Sequence, residues 1–234
     1  MYKAGIPTTE SAVLWAASAF LGACAGILGR KLGQWMLHEK ERAVPELTSA
    51  GDLLTAALLS LYFLLTIVLR GGFGPSVLRD WGFAFLLLIL TVTDLLRRKI
   101  PNGVVLSGIV LWVLWLVTGG LLSGMNVPAA GIIGASAAIL FSAVLLMLAL
   151  IADRFFQKET LGGGDVKLVF MIMLHLGFLR GFLCMAIALG AGLLFLFARK
   201  ERTIPWAPSI AVGALAAMLL GAYAASRGLL PASS

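Results

Sequence analysis

Two of the eleven acidic residues have the type and placement to do chemistry. Asp94 follows the apolar stretch Phe83 to Thr93 and is itself followed by Leu95-Leu96, so it sits inside a hydrophobic run about one turn from its end. A carboxylate in lipid costs several kcal/mol at the centre and less near the interface, and it needs a reason to be there. One available reason is local pairing with Arg97 or Arg98 at i+3 and i+4. Asp165 closes Gly162-Gly163-Gly164-Asp165 and opens the apolar run Val166 to Phe178. The glycines permit torsions that other residues avoid and let a neighbouring backbone come close. Asp is also a favoured helix N-cap, a role compatible with chemistry. If the two acids meet, like charge opposes double ionisation and one proton is shared near neutral pH. The ionised carboxylate can then activate water while the acid polarises a carbonyl, which is a route to amide hydrolysis.

The other acids offer less. Glu39, Glu41, Glu46 and Asp52 lie in one polar loop, Asp80 at the start of an apolar run, Asp153 and Glu159 beside a turn, and Glu201 among basic residues. Neither His38 nor His175 has a metal-ligand partner at useful spacing, so no metal site is expected. Cys24 and Cys184 each fall in an apolar run with no C-x-x-C pair, and read as buried packing residues.

The elements that position the acids are membrane helices. The chain is 60% hydrophobic and 12% charged, with a mean hydropathy of +1.00, whereas a soluble domain carries about 25% charged residues. Eight runs approach the roughly 20 apolar residues of a spanning helix: 11–29, 53–69, 81–96, 103–122, 128–151, 166–178, 181–198 and 205–225. The expected fold is all-α, a polytopic bundle of about eight transmembrane helices forming a single domain over 1–234. No internal repeat is evident. Trp15, Trp35, Trp81, Trp112, Trp115 and Trp206 fall mostly near helix ends, as an aromatic belt would.

The formal charge of +7 follows the helix ends. Arg30, Lys31, Lys40, Arg42, Arg97, Arg98, Lys99, Arg154, Lys158, Lys167, Arg199, Lys200 and Arg202 follow the odd-numbered runs; only Lys3, Arg70, Arg79, Arg180 and Arg227 fall on the other side. By the positive-inside rule the odd-numbered ends are cytoplasmic and both termini lie outside. Asp94 and Asp165 then reach the same cytoplasmic face. No basic patch alternates with aromatics as single-strand binding would need, so nucleic acid is not an expected partner. Lys167 reads either as a snorkelling interfacial lysine or as a charge beside Asp165. Pro101 and Asn102 read as the end of one helix and the start of the next.

Three segments carry a resemblance. Thr93-Asp94-Leu95-Leu96-Arg97-Arg98-Lys99-Ile100-Pro101-Asn102 resembles the first aspartate motif of the prepilin peptidases. Gly162-Gly163-Gly164-Asp165-Val166-Lys167-Leu168 resembles their second, G-x-G-D-x-K-L. Ile204-Pro205-Trp206-Ala207-Pro208-Ser209-Ile210-Ala211 resembles the proline-containing start of their last helix. The motifs keep the family's order over roughly residues 80–225.

The resemblance implies a membrane aspartic endopeptidase of the cytoplasmic membrane, with Asp94 and Asp165 catalytic and Gly162, Gly163, Gly164, Lys167, Pro101 and Asn102 shaping the site. Its implied partners are type IV prepilin or pseudopilin-like precursors of pilus and secretion systems, which lose a short basic leader at the cytoplasmic face. Proteolysis would need no cofactor. Many members carry a four-cysteine zinc insert after the first helix and methylate the new N-terminus with S-adenosylmethionine. Here residues 30–51 form a short loop without cysteine, so zinc is not expected, and S-adenosylmethionine would serve only if methyl transfer is retained. A rival reading of the same acids is a small ion-coupled transporter or channel with the glycine turn as a broken helix. It leaves the Ile-Pro-Asn segment unexplained.

Overall fold

The computed structural model describes residues 9–38, 49–123, 126–157, 162–199 and 206–228. Its elements are α1 (Thr9–His38), α2 (Ser49–Arg70), α3 (Pro75–Arg97), α4 (Asn102–Ser123), α5 (Val127–Phe156), α6 (Gly163–Arg199) and α7 (Trp206–Ser226). All seven are long and apolar enough to cross a membrane, and the protein is a multi-pass helical membrane bundle. The expected charged loop residues Lys40, Arg42, Lys158, Lys200 and Arg202, with Ile204 and Pro205, lie outside the described residues.

Eight apolar runs become seven helices because the sixth and seventh runs share α6. That helix is broken at Gly177, whose φ of 67° and ψ of −166° are non-helical and lie in a region open essentially to glycine alone. The break is a reversal. Met173 and Gly181, each four residues from Gly177, pack on one another. The second arm then runs antiparallel to α7: Arg180 meets Gly221, while Cys184 meets Gly213 and Ile210. Position rises along one as it falls along the other. Over the described residues the chain therefore passes eight times between two faces. One face gathers the C-terminal ends of α1, α3 and α5 with the starts of α2, α4, α6 and α7; we call it the aspartate face. The first arm of α6, 163–176, is about 21 Å long at 1.5 Å per residue, short of a roughly 30 Å hydrocarbon core, so at least one of its ends is recessed from the polar boundary.

Close helix contacts are made by small residues, as lipid-embedded packing favours. Gly22 and Gly26, one turn apart on α1, sit where a Cβ would come within 2.6 Å of Ser60 Cα and 2.7 Å of Ala56 Cα on α2. The same interface ends in an ion pair, Arg30–Asp52 at 3.1 Å. The expected loop 30–51 is accordingly shorter than the sequence suggests. α1 continues to His38 because Leu32 and Met36 pack against the core and Gly33 meets Val92.

Two further expectations are corrected. Trp81 is no interfacial belt residue: it is buried, stacked 4.3 Å from Phe63, and donates to Thr66 Oγ1 at 2.8 Å. Cys184 is buried, but Cys24 is exposed on the bundle's surface.

The core centres on α3, the first arm of α6 and α7, with Phe83, Leu87, Leu90, Leu168, Ile172, Ile210 and Met218 essentially inaccessible. α3 and the first arm of α6, the two segments that carry the acids, thus both belong to the core.

Candidate active site

Depth is set by one contact. Phe83 on α3 stacks on His175 of α6 with ring centroids 4.0 Å apart. His175 is pinned further by Nε2 donating to the Gly108 carbonyl at 2.9 Å. From this level α3 runs eleven residues to Asp94, and α6 runs back ten residues to Asp165. At 1.5 Å per residue the two acids arrive within about 2 Å of the same depth. They lie within electrostatic reach of one another.

Each acid is held by a helix start. Asp94 is buried, and its Oδ2 accepts the Ala207 N–H at 3.0 Å. Ala207 is the second residue of α7, whose first-turn N–H groups have no intrahelical partner. The carboxylate therefore satisfies an orphan donor at the positive end of α7's dipole. At the other end of this short segment α3 stops, with Arg98 in the left-handed region (φ 51°) and its N–H on the Asp94 carbonyl at 2.8 Å.

Asp165 is half-buried and is not the N-cap that the sequence suggests. α6 begins at Gly163, so Asp165 is its third residue. From there its carboxylate accepts from the Gly162 backbone, as the third-position acid of a capping box does. Its own N–H donates to the Gly162 carbonyl at 3.0 Å. The glycines matter for closeness rather than torsion: none of Gly162, Gly163 or Gly164 has positive φ. A Cβ at Gly164 would lie 3.2 Å from Ile100 Cβ, which brings the Ile-Pro-Asn turn against the start of α6.

That apposition joins the remaining residues singled out in the sequence. Lys167 Nζ donates to Asn102 Oδ1 at 3.1 Å. Pro101 precedes α4, and its carbonyl accepts from Val104 and Val105 at 3.1 and 3.3 Å. The starts of α4, α6 and α7 thus converge on the acid pair. Ile100 and the Ala207 N–H were not foreseen. Ile100 stood within a matched motif, whereas a backbone N–H leaves no trace in residue type.

Beside this cluster a cavity of about 530 Å³ runs between α4, α5 and α6. Asn102 and Lys167 stand at one end, and Val105, Leu106, Ile109, Val166 and Phe170 form much of its wall.

Fold and site together define a multi-pass helical membrane protein with an acid pair recessed at one face, each acid bound to a helix start. Residues 81–197, half the chain, match the Type IV leader peptidase family, and the chain belongs to it. It is 30% identical over 179 residues to a "Prepilin leader peptidase/N-methyltransferase" of Bacillus subtilis, an alignment covering 74% of this chain and 65% of that relative. The chain thus spans just under two thirds of the relative's length. No solved structure matches it.

Proposed function

We propose that the protein is an aspartic endopeptidase that removes the short basic leader from type IV prepilin or pseudopilin-like precursors, cutting at the cytoplasmic face. The observation that carries this reading is the convergence of Asp94 and Asp165 at one depth beneath the starts of α6 and α7. The pair shares one proton, and which carboxyl holds it belongs to the pair rather than to either residue. The ionised member takes a proton from water as its oxygen attacks the scissile carbonyl. The protonated member gives its proton to the carbonyl oxygen, and collapse of the tetrahedral adduct expels the amine with a proton returned through the pair. Three converging helix starts place positive dipole ends where negative charge develops.

The adjoining apolar cavity suits the hydrophobic segment that follows a leader, and Lys167 with Asn102 marks the point where that segment meets the acids. Methyl transfer from S-adenosylmethionine is a separate reaction on the same product. The test is co-expression with candidate precursors, read by mass spectrometry of the mature N-terminus, which reports cleavage and any added methyl together. Processing that continued unchanged in both Asp94→Asn and Asp165→Asn would overturn the reading.

A further inference from the structure

The seam between α4 and α5 is closed at the end of the bundle opposite the acids. There a Cβ on Gly134 would lie 3.0 Å from the Trp112 ring, and one on Gly131 would lie 3.7 Å from Leu116. Toward the acids the same seam holds the cavity of about 530 Å³. Val105, Leu106 and Ile109 of α4 stand on one side of it, Ser142 of α5 on the other, and Val166 and Phe170 of α6 behind. Leu106 is 61% exposed, so the cavity opens sideways to the bilayer between the two helices.

Ser142 is the polar exception in this wall. Its Oγ is buried and has no hydrogen-bond partner among the described residues. Serines inside helices commonly turn back to a carbonyl of the preceding turn, as Ser107 does to Gly103 and Ser136 to Ile133. A buried hydroxyl left without a partner is costly, so this one points to a group that arrives from outside. Its depth says which group. Gly134 meets both Trp112 and the Leu174 carbonyl; eight positions from each toward the acids stand Ser142, Val104 and Val166. Ser142 is therefore level, to within about one helical turn, with Asp165 at the start of α6. A chain cut beside Asp165 that continues as an apolar helix has its first-turn N–H groups at this level. Those groups have no partner within their own helix, and in hydrocarbon they need one.

We propose that the precursor enters sideways from the bilayer through the α4–α5 seam, and that Ser142 Oγ accepts an N–H from the first turn of its apolar helix. The helix lies against Val105, Ile109 and Phe170. This inference rests on the proteolytic reading and adds to it a route and a positioning residue. Ser142 does for the incoming helix what the Asp94 carboxylate does for α7. Along α4 the cavity runs from Asn102 to Ile109, about 10 Å, so it holds the first two turns of the segment and leaves the rest in lipid.

The test uses the full chain in liposomes with a purified precursor. In an Asp165→Asn background, Leu106→p-benzoylphenylalanine should photo-cross-link to the precursor's apolar segment. The same probe at Leu121, exposed at the other end of α4, or at Leu61, exposed on α2, should give little. In the active protein, Ile109→Trp should raise KM about tenfold with kcat near wild type, since burying one large apolar side chain is worth about that factor. A peptide lacking the apolar segment should not respond to Ile109→Trp. Ser142→Ala should lower kcat/KM about fivefold, the weight of one hydrogen bond, with no fall in thermal midpoint; Ser142→Thr should recover most of the loss. The cross-link stands even if Ile109→Trp folds poorly, because Leu106 is exposed. Labelling from Leu61 as strong as from Leu106, or labelling of lipid alone from Leu106, overturns the route, as does an unchanged KM in Ile109→Trp. Ser142→Ala cleaving at the wild-type rate overturns the role of its hydroxyl. All are read against wild-type cleavage of the same precursor, whose absence would sink the proteolytic reading and this inference with it.

Discussion

A carboxylate in a membrane bundle is kept either because it is paired or because it works, and Asp94 shows how the two combine. Its Oδ2 holds the Ala207 N–H, an orphan donor at the start of α7, so the acid fixes α7 over the site. Replacing it tests both roles. Asp94→Asn and Asp165→Asn should each lower precursor cleavage by at least about a hundredfold, the lower bound for losing a positioned acid or base, while the protein still inserts; this is measured by cleavage in membranes at matched expression. Ala207→Pro separates positioning from chemistry. It replaces the N–H with a ring carbon at a first-turn position that tolerates proline, and a hydrogen bond to a charged group is worth about 1.5–3 kcal/mol. Cleavage should fall by at least about tenfold, whereas Ala207→Ser, which keeps the N–H, should leave the rate near wild type.

At the scale of elements, what the sequence revealed and what it hid divide along physical lines. Asp94, Asp165, Lys167, Asn102 and the glycines were legible because side-chain type and spacing carry them, and the structure brings all of them to one face. The spans were legible because apolar runs of that length have few other uses. Three things were not. The extension of α1 to His38 is hidden by the polar residues Arg30, Lys31 and Gln34, of which Arg30 is buried in its pair with Asp52, while Leu32 and Met36 hold the segment to the core. Asp80 looked like an ordinary helix start, because its pairing with Arg70 depends on how α2 returns beside α3. The Gly177 reversal was seen only as a gap between two apolar runs, with nothing in residue type to mark which residue bends. That residue is now testable. Any side chain at φ 67°, ψ −166° costs about 1–3 kcal/mol, so Gly177→Ala should lower the thermal midpoint in detergent by several degrees, at roughly 2–4 °C per kcal/mol for a chain of this size. Gly190→Ala is the control, since a Cβ there meets nothing within 4 Å.

For the whole molecule the number of passes decides which face each end meets, and the proteolytic reading depends on that number. Asp94 ends α3, Asp165 begins α6 and Ala207 begins α7, and these three are brought together. From 165 to 207 the chain must therefore leave the aspartate face and return. A straight α6 of 37 residues would be about 55 Å long and would strand Ala207 on the far side. With the reversal, Lys99 lies at the aspartate face, while Asn126 and Arg227, beyond the end of α7, lie at the opposite one. The proposed cytoplasmic placement of the aspartate end rests on Arg97, Arg98 and Lys99, which crowd it. On the proposed proteolytic reading, a leader that stays inside with its basic residues then meets the acids without crossing the bilayer. Single cysteines at Lys99, Asn126 and Arg227, placed in a background lacking Cys24 and Cys184, report this directly through an impermeant maleimide. Asn126→Cys and Arg227→Cys should label in intact cells, and Lys99→Cys only in inverted vesicles. If Arg227→Cys labelled from the same side as Lys99→Cys, the count of passes between them would be even, the reversal at Gly177 would be lost, and Ala207 could no longer reach Asp94.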